Sequence, residues 1–391
     1  MAAPALRLGA AAPGVLALPS AQPAADTLYA PRGVFFGDDL CVVADSGNHR
    51  VLIWHDRPTE AGQPADVVLG QPDMTGEGPR ANETDARRGL HLPCGVSVID
   101  GRLVVADAWN HRVLVWDRVP QHDFAAPDLV LGQPDAESVE PNAGGEPSAT
   151  TLHWPYGFDL VDGVFWIADT GNRRVLGWDG LPEPGQLARY LLGQDDFQSR
   201  DENRGREVGQ GTYRWPHDVT GDADRLLVAD AGDHRIVGWD GRPTPERDFD
   251  LLLGQDDVAK GSEWPYSAPG DRTTRFPYAI SFDAGRLAAA DTANNRVLVW
   301  DDLPRSGVGV PASRVLGQRD FDGAGENRWD AIRDDTLCWP YGLHLRGDTL
   351  AIADSGNNRV VVWDLAAETA PSPAGSEAYG LLQGASPFRT P

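Results

Sequence analysis

The chain has 391 residues, with 58 acidic against 34 basic side chains and a formal charge of -24. That balance argues against nucleic acid or an anionic membrane surface as partner, because phosphate binding rests on clustered Lys and Arg, and no run of about 18 apolar residues is present to cross a bilayer. Three cysteines, Cys41, Cys94 and Cys338, stand far apart without CxxC spacing, so neither a disulfide framework nor a structural metal site is expected; a reducing, cytoplasmic compartment fits. With 44 Gly and 31 Pro punctuating short segments rich in Val, Leu, Ile and Trp, the composition is that of many short strands joined by turns, and the class is all-β.

The first residues, Met1 to Ala25, carry an Ala/Leu-rich stretch with the look of a faint secretion signal. Pro13 breaks its apolar run, and Arg7 is the only basic residue ahead of it. A structural use for the same residues follows from the periodicity.

From Ala44 to Trp54 the chain reads Ala-Asp-Ser-Gly-Asn-His-Arg-Val-Leu-Ile-Trp, and variants return at Ala106 to Trp116, Ala168 to Trp178, Ala229 to Trp239, Ala290 to Trp300 and Ala353 to Trp363. The repeated Asp falls at 45, 107, 169, 230, 291 and 354, a period of 61 to 63 residues. Each unit opens near a proline, at Pro31, Pro93, Pro155, Pro216, Pro277 and Pro340. A short strand follows, then an Asp/Gly turn such as Asp100-Gly101-Arg102, a second strand apolar throughout, the Asp-x-Gly-Asn-x-Arg loop, and a third strand ending in Trp. A fourth strand ends in Leu-Gly-Gln, as at Leu69-Gly70-Gln71. Six units of four antiparallel strands predict a six-bladed β-propeller, one domain over 1-391, which leaves few exposed sheet edges. Leu6-Arg7-Leu8-Gly9 stands at nearly the same distance before Pro31 as each Leu-Gly-Gln stands before the next Pro. The segment 1-27 is therefore expected to close the last blade, with Tyr379 to Gln383 competing for that place.

The unit Pro-x-Gly, strand, Ala-Asp-Ser/Thr-Gly-Asn-His/Asn-Arg-Val closely resembles the NHL repeat over roughly residues 28 to 384. The 62-residue period and the Gln-Pro-Asp or Gln-x-Asp-Phe linkers, as at Gln71-Pro72-Asp73 and Gln194 to Phe197, are similar to long-repeat bacterial relatives. The resemblance implies a six-bladed propeller and, diffusely, protein interaction, with RNA binding, lyase or ester-hydrolysing activity in some members. Accessory propellers of this look make a redox enzyme assembly one candidate partner.

Six copies of one Asp and one Arg are read as architecture, with the carboxylate holding its own turn and Arg50, Arg112, Arg174, Arg235, Arg296 and Arg359 tying the third strand to a neighbouring blade. The loop glycines Gly47, Gly171, Gly232 and Gly356 are expected to supply positive φ. The loop pattern lacks the remaining oxygen ligands of a calcium site. His49, His111 and His234 are read as satisfied turn histidines, and the third-strand Trp residues as packing between blades. A recurring Asn of the insertions, at 82, 142, 203 and 327, is read as a brace for its loop.

Function is sought where the copies differ. The residue after each opening proline forms a candidate ring at the channel mouth: Arg32, Cys94, Tyr156, His217, Tyr278 and Tyr341. Such a ring suits a peptide or small ligand, or its tyrosines plug the channel. His217 and Asp218 are candidate acid and base for a hydrolase or lyase at the mouth, although strand neighbours point to opposite faces. Trp109 replaces a loop glycine and is either a contact anchor or a gap filler. No metal site can be assembled from Cys94 and His217 alone, no nucleophile elbow or phosphate loop is present, and no cofactor is implied. The reading is a binding or assembly scaffold presenting its insertion-rich face to a protein partner, with an enzyme at the channel mouth as the alternative.

Overall fold

In every repeat the second and third strands are short, mostly apolar runs, too short for helices and buried along nearly their whole length, as in Cys41–Asp45 and Arg50–Trp54. The computed structural model describes the backbone of residues 6–8 and residues 22–366, apart from 245–246 and 262–267.

Six antiparallel sheets follow the six repeats. The first holds Gly33–Phe36, Cys41–Asp45, Arg50–Trp54 and Val67–Leu69, in that order from the channel outward. The next four repeat the plan, their inner strands being Val96–Ile99, Pro155–Val161, Pro216–Asp222 and Pro277–Asp283. The fourth blade gains a fifth strand, Gly307–Val308, parallel to Leu251–Leu253. In the sixth blade Pro340–Arg346, Thr349–Asp354 and Arg359–Asp364 take their outer strand from the opposite end of the chain: Leu6 pairs with Val362, Arg7 with Val361 and Leu8 with Val360. The competing segment Tyr379 to Gln383 lies outside the described residues.

Six apolar cores lie between blades, and their membership closes the ring. One contains Val34, Phe36 and Leu52 of the first blade together with Ala351, Val360 and Val362 of the sixth. Each third-strand Trp enters the core shared with the preceding blade, Trp54 against the sixth and Trp116 against the first. Its indole N–H stays satisfied there: Trp54 donates to the Gln63 carbonyl at 2.9 Å and Trp178 to that of Gln186 at 3.0 Å.

Candidate functional site

The insertion-bearing face is positioned by the repeated loop. Asp and Arg are cross-strand partners that close the hairpin between the second and third strands, as in Asp45 opposite Arg50 and Asp169 opposite Arg174. That placement explains the constant spacing of five. Arg50 Nε lies 2.7 Å from Asp45 Oδ2, and Asn48 donates to the same oxygen at 2.9 Å. The other carboxylate oxygen reaches back sixteen residues, accepting the Tyr29 N–H in the first blade and the His153 N–H in the third. The remaining guanidinium N–H groups donate to insertion carbonyls, Met74 on one side and Ala24 and Thr27 on the other. The expected arrangement is thus corrected: the carboxylate holds the segment leading into the inner strand, and Arg clamps two successive insertions.

The glycine expectation is also corrected. Left-handed backbone falls two residues later, at His49, His111, Arg173, His234, Asn295 and Asn358, all with φ of 52° to 55°. Gly47 and Gly171 are needed for room, since a Cβ would stand 2.5 Å from the Tyr29 ring and 2.4 Å from the His153 ring. Where a larger residue occupies that place the loop bond lengthens: Gly171 N–H meets the His153 carbonyl at 2.7 Å, while Trp109 and Ala293 make the matching bond at 3.2 Å.

Five of the six left-handed residues link blades. His49 Nδ1 accepts the Leu92 N–H, His111 Nδ1 accepts the Trp154 N–H and His234 Nδ1 accepts the Phe276 N–H, each at 3.1 Å. Asn295 and Asn358 do the same with Oδ1, for Trp339 and Ala30. The acceptor role keeps these imidazoles neutral, and burial pushes His49 down to about 4 and His111 to about 3. The insertion asparagines brace as expected, Asn142 with Asn172 and Asn327 with Asn357, each pair exchanging reciprocal amide bonds.

These anchors set the residue after each opening proline at the channel mouth, where Arg32, Cys94, Tyr156, His217, Tyr278 and Tyr341 all line one cavity of about 180 Å³. Four of the six pack on one another. Tyr156 stacks on His217 with ring centres 4.2 Å apart, and Tyr278 stands 4.5 Å from His217 and 4.7 Å from Tyr341. His217 Nδ1 lies 2.9 Å from the Tyr278 carbonyl, which can only accept, so Nδ1 carries the proton and Nε2 faces the Tyr341 hydroxyl at 3.4 Å. Burial lowers the pKa of His217 to about 3. Arg32 and Cys94 occupy the other two sectors, the Arg32 guanidinium lying 5.0 Å over the Tyr341 ring.

His217 and Asp218 have separate partners. Asp218 Oδ1 accepts the N–H of Val219 and Oδ2 that of Ile280 in the next blade, both at 2.9 Å. The carboxylate occupies the space beside Gly157, where a Cβ would meet it at 2.1 Å. Burial raises Asp218 to about 8, with Asp159 adding repulsion; Asp159 itself is raised to about 6. Ser97, Thr220, Ser281 and His344 complete the polar wall. Among the described residues no group of three or more His, Cys, Asp or Glu is placed to hold a metal ion, and no helix is long and apolar enough to cross a membrane.

A second, outer circle of aromatics escaped the sequence reading. The residue before each opening proline is Trp154, Trp215, Phe276 or Trp339 in four repeats. Trp109 joins this circle, its ring centre 5.8 Å from that of Trp154, and its side chain is hydrogen-bonded to Tyr156 of the inner ring. Trp109, Trp339 and Trp329 are 39%, 47% and 82% exposed. The signal was present at the position before the proline, but it becomes meaningful only once the loops bring four repeats round one mouth.

No family model matches the sequence. The chain is similar to NHL repeat-containing protein 2 of Bos taurus, 23% identical over 363 residues covering 84% of this chain and 45% of that protein, so it spans less than half of that relative's length. Among solved structures, the WD40 β-propeller domain of Doa1 aligns with a TM-score of 0.44 at 12% identity, over 88% of this chain and 97% of that one. Virginiamycin B lyase from Staphylococcus aureus aligns with a TM-score of 0.43 at 12% identity, over 85% and 94% of the two chains.

Proposed function

The chain is an NHL-repeat propeller of six blades, and from that premise we propose that it is a binding or assembly scaffold whose insertion-bearing face takes a protein partner. The observation that carries this reading is the set of exposed tryptophans, Trp109, Trp329 and Trp339, on backbone fixed by buried loop anchors. Large aromatics held rigidly at low entropic cost are the residues that dominate interface energetics. The inner ring of Arg32, Cys94, Tyr156, His217, Tyr278 and Tyr341 is the floor of this surface. In this reading the protein works in the cytoplasm, and a redox enzyme assembly is one candidate for the partner.

The test is affinity capture from the native host with the wild-type chain and a Trp109→Ala/Trp339→Ala variant of unchanged melting temperature. A specific protein retained by the first and lost by the second supports the scaffold. Equal retention by both moves the interface off this face.

One observation favours a second reading, catalysis in the channel. A carboxyl raised to about 8, as at Asp218, is poised to hold a proton near neutral pH. Turnover of a screened ester or lactone that disappears in Asp218→Asn would support it.

A further inference from the structure

The arginine at the channel mouth differs from those of the repeated loops. Arg50, Arg112, Arg174, Arg235, Arg296 and Arg359 are buried against a carboxylate and insertion carbonyls. Arg32 is partly buried at the centre of the face and has no carboxylate partner among the described residues. Its guanidinium lies over the Tyr341 ring, bonds to the Cys94 sulfur and stands near Tyr156. A guanidinium has five N–H donors and accepts nothing. A sulfur and an aromatic face leave most of those donors unfilled, although the chain carries 58 acidic side chains that could have supplied an oxygen.

Beside Arg32, Tyr156 lines the same cavity, and its hydroxyl can donate.

We propose that the channel mouth is an anion site, with Arg32 as its fork and Tyr156 beside it in the same cavity, and that it takes a carboxylate. A single planar fork matches a planar, singly charged carboxylate in bidentate fashion. One guanidinium in a molecule of charge -24 is a poor match for a phosphate dianion. The carboxylate comes either from an acidic side chain of the partner or from a free small acid. This deepens the reading of the face as a binding surface and rests on it only for the first of those sources.

The experiment is calorimetric titration of the full chain, and of Arg32→Gln with an unchanged melting temperature, with three probes: succinate, the capped peptide Gly-Gly-Glu-Gly-Gly with its Gln counterpart, and inorganic phosphate. Expected is binding of the Glu peptide or succinate that weakens at least tenfold in Arg32→Gln, with the Gln peptide silent. Binding of the Glu peptide alone assigns the site to a polypeptide, and binding of succinate shows that a small acid suffices. No heat from either carboxylate up to about 10 mM, equal binding by Arg32→Gln, or tighter binding of phosphate overturns the proposal. Succinate binding with failed protein capture removes the scaffold and leaves the anion site. A partner held equally well by Arg32→Gln, but lost with Trp109→Ala/Trp339→Ala, leaves the scaffold and removes Arg32 as its anchor.

Discussion

Asp169 and Arg174 face each other across a four-residue loop with Nε to Oδ2 at 2.7 Å, both completely buried, and the same pair stands in all six blades. Removing one member leaves a charge without its complement in the interior, which costs about 3 to 5 kcal/mol. Arg174→Met is expected to lower unfolding free energy by that amount in urea titration. It also frees the carbonyls of Phe197, Ser148 and Thr151, which Arg174 now clamps.

The space at Gly171 gives a second expectation. A Cβ there meets the His153 backbone oxygen at 2.6 Å as well as the ring, so Gly171→Ala forces the incoming segment outward. Ala293 shows how the loop adapts, by lengthening one hydrogen bond to 3.2 Å. A cost of about 1 to 3 kcal/mol is expected, read as a lowered melting temperature. An unchanged value would mean that the glycine is not there for room.

The inter-blade histidines predict an acid limb of stability. Folding lowers His49 to about 4 and His111 to about 3, from an ordinary value of 6.5, so below pH 6.5 the unfolded chain binds protons that the native chain refuses. Stability therefore falls as pH drops from about 6.5 toward 4. Asn does the same work at 295 and 358 without titrating. His49→Asn/His111→Asn should keep its stability at pH 8 and reduce proton uptake on unfolding near pH 5 by about one per residue replaced.

Asp218 gives the opposite limb. Its carboxyl is raised from 3.8 to about 8, so the native state holds a proton that the unfolded chain releases, and stability falls as pH rises through that range. Asp218→Asn should flatten the loss of stability between about pH 5 and 8. A slope unchanged from wild type would show that the carboxyl is ionised in the folded protein.

Deleting residues 1 to 12 removes the strand paired with Val360, Val361 and Val362. Exposing that edge should lower the melting temperature by a few degrees, since each kcal/mol is worth about 1 °C in a domain of this size. An unaffected melting temperature would show that another segment closes the blade.

The period of the repeated Asp, the opening prolines and the third-strand Trp made the propeller legible, because each repeat states its own strands and turns locally. The inner ring was legible for the same reason, as one residue at a fixed offset from each Pro. What stayed hidden depends on contacts between repeats. Nothing local marks His49 as the acceptor for Leu92, forty-three positions on, or reveals that Arg32 meets a sulfur and an aromatic face instead of a carboxylate. The loop glycine was misread because crowding against a segment sixteen to eighteen residues upstream, as between Gly47 and Tyr29, leaves the same residue type as a left-handed turn.

The pairing of Leu8 with Val360 orders events during synthesis. The strand that completes the sixth sheet is made before the first five blades and its partner after them, so those blades can form in sequence while that sheet waits. Until Arg359–Asp364 has left the ribosome, the first blade also lacks the neighbour that covers Val34 and Phe36. The apolar flank of the earliest sheet is thus exposed longest, and a stalled or shortened chain presents it to the proteins that recognise unfinished products.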